Sequence, residues 1–229
     1  RFFASEFDYW AVKNVTGPLY TRARSDYGML VTLRNSLAQI KDEDMTRASG
    51  EAVDEAIAGI KEVEKIVENF LTAFQSLAGQ KQTQFRYTEK VRYEQGNVPF
   101  VPLKEQIIQV DKTFQTLIRT LQSLHQNLKN FTDKDIPDVD MLRQDIGYQI
   151  DDLIVVSNTF RAVVKAEHAD QIYWYELPVS SKSLPKFITT PIHIGSVMDE
   201  KIYTHLRTAV FTSATVKVAD SFSYFLKRN

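Results

Sequence analysis

The chain has 229 residues, of which 43% are hydrophobic and 25% are charged, and its formal net charge is −1. This length and composition are those of a globular protein with one or two cores, and the near-zero charge argues against a surface that coats nucleic acid uniformly. The absence of cysteine excludes disulfides, thiolate zinc sites and cysteine-held iron–sulfur clusters within these residues. It fits a reducing compartment, so we expect a cytoplasmic protein; no apolar run is long enough to span a bilayer, so we expect no membrane partner.

The first 45 residues predict one short helix. Helical periodicity places that helix at about Arg24 to Ile40. Residues 1–23 fit two interpretations. In one, Ser5 caps a short helix through Trp10 that ends at Thr16-Gly17-Pro18; in the other, the aromatic residues belong to a strand.

Three longer segments repeat apolar residues at spacings of three and four, which is typical of helices with one buried face. They run from about Gly50 to Leu77, from Leu103 to Phe131 and from Asp138 to His168. A helix of about 30 residues is about 45 Å long, and its apolar stripe must be covered along that length. The predicted fold class is therefore mainly α: a long antiparallel helical bundle with a small β/α element at the C-terminal end.

Between the first two long helices, residues 80–102 alternate in places and close with Gly96 and two prolines, which predicts a hairpin or an extended excursion. This segment interleaves cations with aromatic rings, the pattern that holds single-stranded nucleic acid. The candidate contacts are Lys81, Phe85, Arg86, Tyr87, Lys90, Arg92 and Tyr93. Two interpretations stay open: a DNA contact, or a hairpin whose rings pack on the bundle while its charges stay solvated.

The character of the chain changes after the third long helix. The predicted elements are a strand at Gln171–Leu177, a strand at Phe187–Ile194 interrupted by Pro191, a short helix at Met198–Leu206 and a strand at Thr208–Thr212. Residues 171–229 carry seven basic and four acidic side chains, a net charge of +3, whereas the remainder has a net charge of −4. Trp174, like Trp10, is interpreted as a core anchor.

Motifs for autonomous catalysis are missing from the sequence. None of the eight glycines precedes a lysine, so the chain has no phosphate-binding P-loop, and the four histidines are dispersed. We therefore expect the chain itself to be catalytically inert and to hold no cofactor of its own.

The last segment resembles a helicase motif. A short helix at 199–206, then Arg207 and Thr208, and then the apolar run 209–211 lead into Thr212-Ser213-Ala214-Thr215, and Ser-Phe-Ser-Tyr-Phe follows at 221–225. This order resembles the motif III region of the DinG/XPD-like superfamily 2 DNA helicases. Residues 173–176 and 190–192 look like the returning segment of the same family.

The resemblance implies a domain organisation. In that family a largely helical arch domain lies between the DEAH motif and motif III. By position, residues 46–170 would be the arch, residues 1–45 a connector from the motor domain, and residues 171–229 the returning segment of the first motor domain. Both termini look cut, so we expect part of a longer protein that begins downstream of the DEAH box and ends just past motif III.

The resemblance also implies roles and partners. Ser213 and Thr215 would hydrogen-bond toward the acidic ATP-site motif and couple ATP hydrolysis to DNA movement, Ala214 would keep the turn compact, and Thr212 matches the family threonine. The parent would be an ATP-dependent DNA helicase of DNA repair that binds ATP and Mg²⁺ outside this chain and moves on single-stranded DNA. An iron–sulfur cluster in the parent is left open. The alternative is a non-catalytic helical adaptor that docks other proteins.

Overall fold

The computed structural model describes residues 4–23, 25–79, 88–180, 183–208 and 210, and the backbone alone at 43, 44, 194, 196 and 201. Helices dominate these residues, which confirms the predicted mainly α class with a small β element. The helices are α1 (Tyr9–Leu19), α2 (Met29–Leu37), α3 (Glu43–Gly79), α4 (Lys104–Asn127), α5 (Val139–Lys165) and α6 (Ile194–Lys201). The strands are β1 (Ser5–Phe7), β2 (Thr21–Arg22), β3 (Asp26–Tyr27), β4 (Glu89–Tyr93), β5 (Gln171–Leu177) and β6 (Lys186–Pro191).

The three long helices are the ones that periodicity predicted, and they run antiparallel. On α3 and α4, Gly59 lies against Leu117, while Phe70 and Phe74 pack against Phe100 just before α4 begins. On α5, Gly147 lies against His125 of α4. Helix α1 packs against both α5 and α3, so the long helices and α1 enclose a common core.

Two helix starts differ from the sequence prediction because a side chain caps each one. Helix α3 begins before Gly50, where the Asp42 carboxylate accepts a hydrogen bond from the Met45 N–H at 3.1 Å. Helix α1 is capped by Asp8, which accepts from the Ala11 N–H at 2.7 Å. The proposed cap, Ser5, instead begins β1.

Helix α1 also continues past the predicted stop at Thr16-Gly17-Pro18 and ends at Leu19. Pro18 lies in its last turn, where the missing N–H leaves only the Asn14 carbonyl without its intrahelical donor. The cost of a proline at this position is therefore smaller than in a helix centre.

The main sheet is antiparallel, with strand order β1-β6-β5-β4. Strand β4 pairs along its length with β5, so the described part of 80–102 joins a sheet with residues far along the chain instead of forming a local hairpin. The β element is also not confined to the C-terminal end, since β1 and β4 form its two edges. Hydrophobic periodicity carries no information on such distant strand partners.

Aromatic rings join the inner face of this sheet to the helices. The ring centroid of Phe187 on β6 lies 4.8 Å from that of Phe74 and 6.1 Å from that of Phe70, and both of these rings are on α3. Phe7 of β1 lies 4.9 Å from Phe160 on α5. Sheet and bundle therefore share one hydrophobic core.

The C-terminal predictions are tested in part. Strand β6 ends at Pro191, because proline cannot donate to a ladder, and α6 begins at Ile194, earlier than predicted. Of the predicted strand Thr208–Thr212, the described residues Thr208 and Val210 belong to no strand, and the others lie outside the described residues. Within the described ranges, no helix is both long enough and apolar enough to cross a membrane.

Candidate nucleic-acid interface

The main sheet has two chemically different faces because side chains alternate along each strand. The inner face carries buried rings such as Tyr173 and Phe187. On the opposite side, which we call the outer face, one cross-strand row reads Glu6, Ile188, Trp174 and Arg92. The next row reads Lys186, Glu176 and Lys90, and Ile172 and Thr190 form a third.

A cavity of about 200 Å³ opens on the outer face. Its lining residues are Ala4, Glu6, Lys90, Trp174, Glu176, Lys186, Ile188 and Thr190. The indole of Trp174 is half-buried, and its N–H donates to a Glu176 carboxylate oxygen at 3.4 Å. The outer face thus combines one large aromatic ring with three cations, Lys90, Arg92 and Lys186.

Two of these cations are held by carboxylates. Lys90 Nζ lies 2.9 Å from Glu176 Oε1, and Lys186 Nζ lies 2.7 Å from Glu6 Oε2 and 3.5 Å from Asp8 Oδ2. The hydrogen bond to Glu6 raises the pKa of Lys186. Burial works to raise the pKa of Glu176, but the hydrogen bonds from Lys90 and Trp174 outweigh it and leave that pKa below its usual value.

Arg92 differs from the two lysines. Its side chain is exposed, and among the described residues no ion pair involves its guanidinium. It faces Trp174 directly across the β4–β5 ladder. A guanidinium beside an aromatic ring offers a phosphate contact and a base-stacking surface at the same place.

Tyr93, another predicted DNA contact, lies in the core. Its ring is 5% exposed, and its hydroxyl donates to the Val163 carbonyl at 2.8 Å. That carbonyl belongs to the last turn of α5, where it has no partner within the helix, so Tyr93 completes the helix end. Burial raises the pKa of the Tyr93 hydroxyl well above its usual value. The ring is not available to stack on a base.

The structure brings together Lys90 and Arg92 from the predicted set. The remaining candidates, Lys81, Phe85, Arg86 and Tyr87, lie outside the described residues, as do Thr212, Ser213, Ala214 and Thr215.

Sequence reasoning missed Trp174 and Lys186 as members of this site. Trp174 is not a core anchor: Ile172 and Trp174 face outward while Tyr173 and Tyr175 face inward, and both sets are too apolar for the alternation to identify the buried side. Trp10 is not a core anchor either, being 69% exposed. The sequence did indicate a strand at 171–177 from its β-forming composition. It gave no indication that this strand pairs with β4, and that pairing places Trp174 beside Arg92.

The outer face offers what binding of single-stranded nucleic acid uses, a ring for stacking and cations for phosphate contacts. Among the described residues, no group of three or more His, Cys, Asp or Glu side chains is placed to hold a metal ion. The carboxylates Glu6 and Glu176 offset two of the cations, so any attraction for phosphate centres on Arg92.

No protein-family model matches the chain, and no curated protein matches it. The resemblance to DinG/XPD-like helicases therefore rests on the residues quoted for it in the sequence.

Proposed function

We propose that this chain is a non-catalytic, DNA-handling part of an ATP-dependent helicase of the DinG/XPD type. In this proposal the helices form the arch-type insertion that guides or clamps DNA, and Thr212–Thr215 couples ATP hydrolysis in the rest of the motor to DNA movement. ATP and Mg²⁺ would be bound by that remaining part. The sequence order around Ser213 supports the helicase assignment.

The observation that carries the DNA contact is Trp174 beside the exposed Arg92 on the outer face. A base of single-stranded DNA would stack on the exposed part of the indole, while Arg92 would donate to the neighbouring phosphate. Lys90 and Lys186 would contribute less, because their carboxylate partners compete with phosphate. Such contacts do not depend on base sequence, as a protein that moves along DNA requires.

Fluorescence anisotropy with a labelled oligothymidylate tests this contact. Stacking contributes about 1–3 kcal/mol per base, so Trp174→Leu should weaken binding by roughly 5–150-fold. Arg92→Gln should also weaken binding, and it should lower the slope of log affinity against log salt by about 0.7 if one phosphate contact is lost. The matched controls are Trp10→Leu and Arg22→Gln, which change an exposed ring and an exposed guanidinium elsewhere. Unchanged affinity in both test variants would refute the outer face as the DNA contact.

An adaptor role has one observation in its favour. On α5, the exposed side chains of Met141, Tyr148 and Val155 are spaced by seven residues, as on a helix face that docks another helix. The two functions separate in the full-length protein: a helicase hydrolyses ATP faster when single-stranded DNA is added, whereas an adaptor shows no such stimulation.

A further inference from the structure

A second polar site lies between α4 and α5. It is a groove of about 250 Å³. We call it the α4–α5 groove. It is lined by Gln115, Ile118, Arg119 and Gln122 from α4, and by Ile154, Ser157, Asn158 and Arg161 from α5. Most of these side chains are hydrogen-bond donors, and none of the described lining residues is acidic.

The two arginines of the groove differ in whether a carboxylate binds them. Arg161 donates through Nε to the Asp111 carboxylate, which fixes the guanidinium, and its terminal nitrogens form no ion pair among the described residues. Arg119 is exposed, and no described carboxylate forms an ion pair with it. The groove therefore holds one oriented guanidinium and one available guanidinium on facing helices.

Polar groups at the bottom of the groove add to this donor set. Ser157 is only 1% exposed, and its hydroxyl oxygen accepts from the Gln115 amide at a long 3.4 Å. Gln122 and Asn158 are exposed at the rim and carry further amide N–H groups. A buried hydroxyl with one weak partner and a rim of amides is unusual for a surface that only packs two helices, because buried polar groups are normally well paired.

We propose that the α4–α5 groove binds a phosphate group, either free or as part of a nucleic-acid backbone. A tetrahedral phosphate presents several acceptor oxygens and negative charge, which matches two guanidinium groups and surrounding amides. Arg161, held by Asp111, sets the position of the anion, and Arg119 closes over it. An apolar ligand would leave these donors unpaired, and a cation would be repelled by Arg119, whose charge no described carboxylate offsets.

The inference does not depend on the outer face of the sheet, so it is tested in the Trp174→Leu background. Arginine side-chain NMR signals of the ¹⁵N-labelled chain are followed while inorganic phosphate, or a short oligothymidylate, is added. We expect saturable shifts of the Arg119 and Arg161 Nε–H signals. Arg119→Gln should weaken the apparent affinity by roughly tenfold or more, as expected for a charge-assisted bond. Arg119→Lys keeps the charge but loses the planar guanidinium, so its affinity for phosphate should lie between that of the chain with Arg119 intact and that of Arg119→Gln.

Lys112→Gln is the matched control, since it removes one exposed positive charge from α4 at a residue that does not line the groove. Equal weakening by Arg119→Gln and Lys112→Gln would mean diffuse attraction and would overturn the proposal, as would shifts that never saturate. Saturation by inorganic phosphate alone identifies a free-phosphate site. Tighter saturation by the oligonucleotide identifies a backbone contact. Unchanged circular dichroism and melting temperature of Arg119→Gln show that the variant is folded.

Discussion

Gly28 shows how one residue determines a local connection. Its φ of 123° and ψ of 172° lie in a region that only glycine adopts readily. A Cβ placed there would lie 2.5 Å from the Leu19 carbonyl oxygen at the end of α1. The Gly28 carbonyl in turn accepts hydrogen bonds from the Val31 and Thr32 N–H groups that begin α2. The glycine therefore allows α2 to start directly against the end of α1.

We predict that Gly28→Ala destabilises the protein. The backbone strain alone is worth about 1–3 kcal/mol, and the contact with the Leu19 carbonyl adds to it. Gly50→Ala is the control: Gly50 lies inside α3, and nothing lies within 4 Å of an added Cβ. That substitution should stabilise by about 0.5–1 kcal/mol, since alanine favours helix. Denaturant unfolding measures both, and a stable Gly28→Ala variant would show that this segment readjusts freely.

Single residues also mark the limit of what the sequence predicts. The spacing of three and four predicts one buried face on each long helix, and Phe70, Phe74 and Phe114, which follow that spacing, are all buried. The interpretation of Trp10 and Trp174 as core anchors rested on residue type instead of spacing, and it was wrong for both. For Trp174, which lies in strand β5, burial depends on what covers each side of the sheet, and the local sequence does not show that.

Among the elements, α1 is fastened to α3 by one carboxylate. Glu64 accepts from Lys13 Nζ at 2.8 Å and from the buried Thr16 hydroxyl at 2.7 Å. The hydroxyl of Thr16, a fully buried residue, thereby gains a charged partner, without which its burial would be costly. The short helix α1 gains its position from these tertiary contacts and from its apolar face.

The α4–α5 pair contains a histidine whose pKa is lowered by its surroundings. His125 of α4 lies 3.6 Å, measured from Nε2, from the position of a Cβ added at Gly147 on α5. Burial lowers the pKa of His125, and the nearby charges of Arg143 and Lys129 lower it further, against a weaker opposing effect of Asp151.

We predict that stability falls as the pH drops through 6.5, the ordinary pKa of histidine. Because the folded-state pKa is depressed, the unfolded chain binds this proton more tightly, so the stabilising contribution is fully present above 6.5 and is lost below it. The free energy of unfolding, measured in denaturant at about pH 7.5 and 5.5, should change more in the wild type than in His125→Gln. His205→Gln, an exposed histidine outside the bundle, is the control. An identical change in the wild type and His125→Gln would refute this role for His125.

The sequence predicted which helices and strands form better than it predicted which strands pair with each other. The long helices and strand β5 were expected nearly where they lie, because periodicity and composition are local signals. The pairing of β4 with β5 joins residues such as Arg92 and Trp174 that are far apart along the chain. That pairing places Arg92 beside Trp174 on the outer face, whereas in the sequence the two residues of the candidate DNA site lie in separate segments.

At the scale of the whole molecule, the sequence segments 1–45, 46–170 and 171–229 each contribute strands to the same sheet. Strand β1 comes from the first segment, β4 from the second, and β5 and β6 from the third, all in one sheet. Phe160 of the second segment packs on Phe7 of the first, and Phe74 packs on Phe187 of the third. The helical segment therefore depends on both flanking segments for part of its core.

These shared contacts predict that a fragment of residues 46–170 does not fold as the intact chain does. It would expose Phe70, Phe74 and Phe160, leave β4 without β5, and leave Glu64 without Lys13 and Thr16. Uncovering each large apolar side chain costs roughly 1.5–3 kcal/mol, a substantial share of the stability of a small domain. Helical circular dichroism should persist, because α3, α4 and α5 still contact one another, while thermal unfolding becomes broad and the fragment binds the dye ANS.

The intact chain, studied in parallel, should unfold in a single sharp transition. A fragment 46–170 that melted as sharply as the intact chain, and at the same temperature, would mean that the helices form an independent domain and that the sheet is an attachment to it. The broad transition expected here would instead mean that the helices gain part of their rigidity from the strands and from α1, which pack against them.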